Sequence, residues 1–554
     1  TPAPGVVTIE GWYNNKEMQD LYSIELARRG YVVLALDLHS HGDSESLSIA
    51  ELYDGAVGVD GAVQLIASLP YVDTARIGVT GHSSGGTAAN MAVEIDNSRE
   101  TPLIAAVLQQ AGDWQDDTGG DHSGDYGSRS VGIIASTHDD FYFGTYDDAG
   151  NMLTNPVAFM ETDGAKKFLN FNEDGFAGIA EGGKYYTRDF DGKTAYRVIY
   201  RPNMIHPLVA FSTTCVGYAV DFFDTTLGAP KPLPASDQIW PIKAVFNSLG
   251  VIGLLIFMVS FTLVLLDTPV FSALRSGEIV QPAPVQDSGA KAWYWVLLII
   301  GAVFSGSSFL FCMNTVYSKT TNFFVQTGPL TIGTWAALCG IFAIFCSAVF
   351  YGAYGKKHGW SARRAGLYLN LEQLWKTIAL AVIVIVVSFG LVFAAHYFFQ
   401  VDYRMYVVAF KTFGADKVLI ALRYLPFFLL FYVMNSISAN CFNYNTIGGK
   451  NGNILIFAFF NALGAIFVVA SQYIYFYATG YQLYGLTEGQ RIGPIWLFPC
   501  MVLLFVTPIM SRIIYKRTRN PYIAGLINAM FIVMISCSNT TTILGGGELI
   551  ATTF

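Results

Sequence analysis

From Trp240 onward the chain is a succession of long apolar stretches, at about 245–266, 293–313, 331–354, 375–399, 418–439, 453–478, 493–515 and 521–538. Each reaches the roughly 20 apolar residues that a helix needs to cross a bilayer. Hydrocarbon offers a peptide group no hydrogen-bond partner, so such segments are stable only as helices whose backbone groups are satisfied internally. The sequence therefore predicts an all-α bundle of about eight membrane-spanning helices over 245–554, integral to a lipid bilayer. Self-association through this bundle is a further expectation.

Residues 1–228 read as a separate globular head, joined to the bundle by a Pro-rich linker over 229–244. Residues 1–240 hold 14 Lys plus Arg against 33 Asp plus Glu, while residues 241–554 hold 19 against 8. An acidic head repels nucleic acid and anionic surfaces, so no nucleic-acid partner is expected. Leu227 to Ala235 contains three prolines and predicts a stiff spacer holding the head at a set height above the bilayer. A second Pro-containing stretch, Gly277 to Ser288, would let the first span pack apart from the other seven.

Inside the head, Gly5 to Trp12, Tyr31 to Asp37, Leu103 to Leu108, Val131 to Ser136 and Ala195 to Tyr200 are short apolar or β-branched runs. Helical or loop segments separate them, as between Asn15 and Arg29. That alternation predicts a mostly parallel sheet with helices on both faces. Ile77 to Ala89 adds a strand-like run, the pentapeptide Gly81-His82-Ser83-Ser84-Gly85 and a small-residue helix start. A serine hydroxyl is a weak nucleophile. It must project from a sharp strand-to-helix turn where a base can reach it and a backbone N–H can face the developing oxyanion. The stretch reads as a nucleophile elbow with Ser83 as the attacking residue.

Together with Asp37-Leu38-His39-Ser40-His41-Gly42-Asp43-Ser44 and Asp73-Thr74-Ala75-Arg76-Ile77-Gly78, the Gly81 to Gly86 elbow resembles the α/β-hydrolase superfamily. The likeness is to its dienelactone-hydrolase and prolyl-oligopeptidase branch of serine hydrolases. The resemblance implies an α/β-hydrolase fold and a triad in the order serine, acid, histidine. Asp139, after the strand Val131 to Ala135, matches the acid, favoured by spacing over Asp140. His206 follows the last strand and precedes a helix to about Phe223, where the family places its histidine. The Ser84 N–H is implied as one oxyanion donor and the loop at Trp12 or Tyr13 as the other; the chain has Glu10-Gly11 where the lipase branch often has His-Gly. His82, Tyr13, Asp140 and Phe141 are expected around the substrate pocket.

Two departures from the family follow. Its usual first two strands have no counterpart before Thr1, which implies a longer precursor carrying a targeting or anchor segment, or a reduced sheet. Asp139 and His206 are separated by an insertion over about 141–191, rich in Gly, Asp, Phe and Tyr, expected to wall the substrate site. Asp113, Asp116, Asp117, Asp121, His122 and Asp125 read as a solvated acidic loop without the spacing of an EF-hand. With no P-loop, dinucleotide fingerprint or zinc helix, no cofactor or metal is expected. The seven cysteines, of which only Cys215 is in the head, read as small apolar residues.

Lys356, Lys357, Arg363 and Arg364 between the third and fourth spans, and Lys516, Arg517 and Arg519 between the seventh and eighth, mark cytoplasmic loops. Counting back three spans puts the head outside the cytoplasm, facing wall, periplasm or lumen, with a bacterial cell membrane the expected setting. Within the spans, Asn435, Ser436, Ser438, Asn440, Asn461 and Gln472 are expected to serve interhelical packing. The leading expectation is a membrane-embedded serine esterase acting on an acyl or lipid-linked ester. A peptidase, a thioesterase, an acyltransferase, or a transport or assembly protein with a merely binding head are the alternatives.

Overall fold

The structure, a computed structural model, describes residues 2–115, 120–146, 152–285, 287–412 and 414–548. Asp116, Asp117 and residues 147–151 of the insertion lie outside the described residues.

The head is built on a seven-stranded sheet. Its strands are β1 (Ala3–Ile9), β2 (Val32–Leu36), β3 (Val72–His82), β4 (Ile104–Gln110), β5 (Ser130–Ile134), β6 (Tyr186–Phe190) and β7 (Lys193–Tyr200), in the order β2-β1-β3-β4-β5-β7-β6. All pairings are parallel except that of β6 with β7. Alternate residues of one strand go to opposite faces, and both faces are covered. Val7, Ile9, Val79 and Val107 pack with helices α2 (Val59–Ala67) and α3 (Ser84–Asn97). Val6, Ala106, Leu108 and Val198 pack with α1 (Asp20–Arg28) and α5 (Thr213–Leu227). Two-sided burial is why these strands read as continuous apolar runs. The edge strand β6, Tyr-Thr-Arg-Asp-Phe, has no fully buried residue and carried no such signal. In the insertion, α4 (Asp163–Leu169) packs on the head core, where Trp114 stacks on Phe159 and Phe168.

Eight helices long and apolar enough to cross a membrane follow: Trp240–Leu266, Ser288–Thr315, Thr327–Gly355, Leu371–Phe399, Ala415–Phe442, Gly449–Thr479, Glu488–Thr518 and Pro521–Ser538. Each matches a predicted span, most of them lengthened by a few residues at one or both ends. The first span does not pack apart. Its Val251, Leu254 and Met258 share a core with Leu380 and Val384 of the fourth, and Val280 and Ala283 of the Pro-containing stretch hydrogen-bond to Lys516 and Tyr444 carbonyls. Interhelical polar contacts include Asn435 to Asn461 at 2.6 Å and Ser436 to Ser511 at 2.6 Å. Sequence reasoning passed over Arg512. It is buried in the seventh span, where it donates to Asn440 Oδ1 and Asn453 Oδ1 at 2.8 and 3.0 Å and lies 3.9 Å over the Tyr444 ring.

The Pro-rich linker is no spacer. Arg29 donates to the carbonyls of Leu233, Pro234 and Asp237, and Lys231 N–H donates to Arg29 O, so the segment wraps the end of α1. The head instead sits directly on one end of the bundle. Lys411, 1 % exposed, lies 2.9 Å from Glu17 and 3.0 Å from Asp43, while Lys16 pairs with Asp37 at 2.6 Å. Arg404 donates to Asn15, Tyr406 to Pro207 O and Gln482 to Asp140 O; Thr541 meets His41, and Lys243 pairs with Asp20. Ile543 and Leu544 pair in parallel with Leu47 and Ser48. The basic loops at 356–364 and 516–519 are at the other end of the spans.

Burial opposes the Asp43 charge, yet Lys411 and Lys16 outweigh it and draw the carboxyl down to about 2. The stabilisation from this lowered pKa is therefore present above the ordinary carboxylate pKa of about 4 and is lost as pH falls toward 2. Lys411→Met should leave the sheet and spans formed but loosen the head. Breaking a buried pair costs about 3 kcal/mol, read as a lower thermal transition and faster proteolysis at 228–239. An unchanged transition would show that the head is seated by other contacts.

Candidate active site

At the end of β3 the chain turns sharply into α3, and Ser83 sits at the turn with φ 55° and ψ −126°. A non-glycine residue held there stores strain, and its neighbours explain how the turn closes. A Cβ on Gly81 would stand 2.2 Å from the Gly85 carbonyl, and one on Gly85 would stand 2.2 Å from Glu10 O. Only glycine permits either approach. Ser84 opens α3, where the first N–H groups have no partner inside the helix.

His206 and Asp139 lie behind the elbow. The imidazole Nδ1 is 2.9 and 3.0 Å from the two Asp139 carboxylate oxygens. A carboxylate only accepts, so Nδ1 carries a proton and donates it to Asp139. Asp139 is fully buried and also accepts from Ser136 Oγ at 2.8 Å and from the N–H groups of Phe141 and Tyr142 at 3.0 Å each. Burial raises its pKa, but the His206 charge and these donors overcome that and hold it below the usual carboxylate value. Ser83 and His206 line one cavity. Among the described residues the Ser83 hydroxyl has no hydrogen-bond partner.

Asp140 differs. It is buried and does not line the cavity, contrary to expectation; its Oδ2 accepts from the His206 N–H at 3.3 Å. Burial first, then the Asp139 charge, pushes its carboxyl well above the carboxylate range. His82, Tyr13 and Phe141 do line the cavity. The His82 Nε2 donates to His206 O at 3.2 Å, and burial, followed by the nearby His206, lowers its pKa to about 3. A neutral His82 adds no positive charge beside the His206 imidazole. Phe141 meets the His206 ring edge-on, and Tyr142, which sequence reasoning left out, stacks on it at 13°. Among the described residues of the insertion, these two aromatics line the cavity, and Phe159, Ala165, Phe168 and Leu169 pack on the head core.

Trp12 lines the cavity next to the elbow, stacked on His41 with ring centroids 4.8 Å apart. A Cβ on the preceding Gly11 would stand 3.1 Å from the Ser83 Cβ, so this loop runs against Ser83. Tyr13 reaches the other way, its hydroxyl 3.1 Å from that of Tyr317 between the second and third spans. In the acidic loop, His122 Nδ1 is 2.9 Å from Asp125, and Asp113 is buried rather than solvated. Among the described residues no group of three or more His, Cys, Asp and Glu is placed to hold a metal.

The cavity, about 250 Å³, is not confined to the head. Below Ser83 and His206 it continues between spans, past Ile332, Trp335 and Phe428. Nothing in the sequence joined these residues to the elbow, since they lie some hundreds of positions away.

Residues 5–230 match the alpha/beta hydrolase family. No curated protein matches the chain. Among solved structures, 2,6-dihydroxy-pseudo-oxynicotine hydrolase is 16% identical at a TM-score of 0.27, covering 44% of this chain and 65% of its own. A bacterial heroin esterase is 14% identical at 0.27, covering 41% and 75%, and a Pyrococcus furiosus esterase is 14% identical at 0.26, covering 41% and 85%. The chain spans 39% of the length of another, polyneuridine aldehyde esterase. These likenesses are distant, and the sheet order and site geometry stand independently of them.

Asp139→Asn should lower kcat about 10⁴-fold, because the amide holds the wrong imidazole tautomer. Asp140→Asn, which replaces a carboxyl favoured in its protonated form by a neutral isostere, should stay within a few-fold. A raised native pKa stabilises the fold fully only below the ordinary carboxylate pKa, and the benefit is lost as pH rises through the raised value. Asp140→Asn should therefore flatten the fall of the thermal transition with rising pH; reversed kinetic effects of the two variants would exchange the roles of the two carboxylates. Residues 5–230 form an α/β-hydrolase domain, and a helical region with eight long apolar helices follows it.

Proposed function

We propose that the protein is a membrane-embedded serine hydrolase that cleaves a carboxylic ester through an acyl-enzyme intermediate. The observation that carries this reading is the buried Asp139–His206 pair set behind a serine held at positive φ on a glycine-walled turn. Ser83 Oγ attacks the ester carbonyl as His206 Nε2 takes its proton. The Ser84 N–H and the loop at Trp12 receive the oxyanion, and the proton leaves with the alcohol. Water, deprotonated by the same Nε2, then releases the carboxylate and restores Ser83. The Ser83–His206 hydrogen bond forms once substrate is bound, a common behaviour of catalytic contacts. Asp139 stabilises the imidazolium throughout.

The active site is assigned to the non-cytoplasmic side. The basic loops with Lys356, Lys357, Arg363, Arg364, Lys516, Arg517 and Arg519 are at the bundle end opposite the head, and such loops are retained in the cytoplasm. Substrates would then be envelope lipids, acylated proteins or imported esters.

Ser83→Ala should preserve fold and insertion while reducing ester turnover by about 10⁶-fold, as loss of a triad serine does; near-normal turnover would remove the enzyme assignment. In intact cells, a cysteine placed near Asp121 should react with an impermeant thiol reagent, and one near His358 should react only after the membrane is opened. The opposite pattern would place the site in the cytoplasm.

A further inference from the structure

Resting on the hydrolase reading, we propose that the membrane bundle is the acyl-binding site of this enzyme. A straight apolar acyl chain of the substrate runs from Ser83 down between the third, fifth, seventh and eighth spans, and Cys339 and Phe431 form the floor that sets its length. The cavity that holds Ser83 and His206 is lined from Gly328 to Cys339 on the third span and from Ile492 to Leu504 on the seventh. At 1.5 Å per residue these stretches run about 17 Å into the bundle. The charged groups on its wall, Arg404 and Glu488, are at the head-side ends of the spans; the deeper wall is mainly apolar. An apolar cavity of this kind has little hold on water and takes up hydrocarbon.

The floor is thin. A second cavity of about 130 Å³ continues toward the far side of the membrane between the second, third, fifth and sixth spans, and Cys339 and Phe431 line both. The third span contributes Gly328 to Cys339 to the first and Cys339 to Phe350 to the second, so the two are stacked along one helix. Hydrolysis requires the alcohol to leave and water to enter after the first step, both at the head end. A pocket closed at its floor therefore suits the acyl group, which stays bonded to Ser83 Oγ, and not the departing alcohol.

The test uses the full-length protein in lipid nanodiscs with two ester series, p-nitrophenyl alkanoates of increasing acyl length and acetates of increasing alcohol length. In the acyl series kcat/KM should rise by up to about fourfold per methylene and then fall at a cutoff. Phe431→Ala, which opens the floor into the second cavity, should move that cutoff to longer chains, and Cys339→Trp should move it to shorter ones. Labelling of Ser83 by a fluorophosphonate identifies variants whose site is formed, and Ala336→Leu, which narrows the pocket above the floor, is the second shortening variant if Cys339→Trp is not labelled. Cutoffs unmoved in labelled variants, or a cutoff found only in the alcohol series, would overturn the acyl site while leaving the hydrolase reading intact. A wild-type protein that neither takes the label nor cleaves any ester would overturn both.

Discussion

The seating of the head on the bundle is the constraint from which the rest of the structure follows. Lys411, almost wholly withdrawn from water, stands between Glu17 and Asp43 and within 3.8 Å of Asp37. A lone buried ammonium would be strongly unfavourable, and here three carboxylates from the head answer it. Arg404, Tyr406, Gln482 and Thr541 add polar contacts around the same ring. With the head fixed in that way, the mouth of the elbow opens into the bundle. The head-side turns of the third and seventh spans then become walls of the cavity that Ser83 and His206 line.

The candidate site separates the protonation of adjacent groups. Asp139 and Asp140 are neighbours in sequence and both are fully buried, yet Asp139 accepts from more donors than Asp140 does. Ser136, Phe141, Tyr142 and His206 all serve Asp139, while Asp140 accepts from the His206 N–H at the longer distance of 3.3 Å and carries the Asp139 charge beside it. The first is thereby held as an anion facing the imidazole and the second favours its proton. His82 is likewise kept neutral by burial beside His206. On the proposed mechanism, a single charge would develop on one imidazole against one carboxylate, the arrangement that acyl transfer by a serine requires.

Much of this was legible in the chain because two of its signals are strong and local. The elbow is a run of five residues whose glycines are demanded by contact distances, and the spans are long enough that hydropathy alone fixes them. What escaped depends on contacts distant in sequence or on short polar elements. The edge strand β6 alternates exposed and half-buried residues and looks like a loop. The linker's prolines suggest a spacer because its partners, the Arg29 guanidinium and carbonyl, lie some 200 residues upstream. The first span shares its core with the fourth, more than 100 residues on, which no local composition reports. Arg512 is tolerated because Asn440, Asn453 and Tyr444 receive it, and the cavity's lower wall comes from spans that carry no motif.

The central claim is that Ser83 is a nucleophile activated by His206, and its most direct measurement is the site of covalent capture. Purified protein treated with a fluorophosphonate and digested should yield one modified peptide, with the adduct on Ser83, and His206→Ala should slow its formation by orders of magnitude. An adduct on another residue, or none on folded protein, would contradict the account.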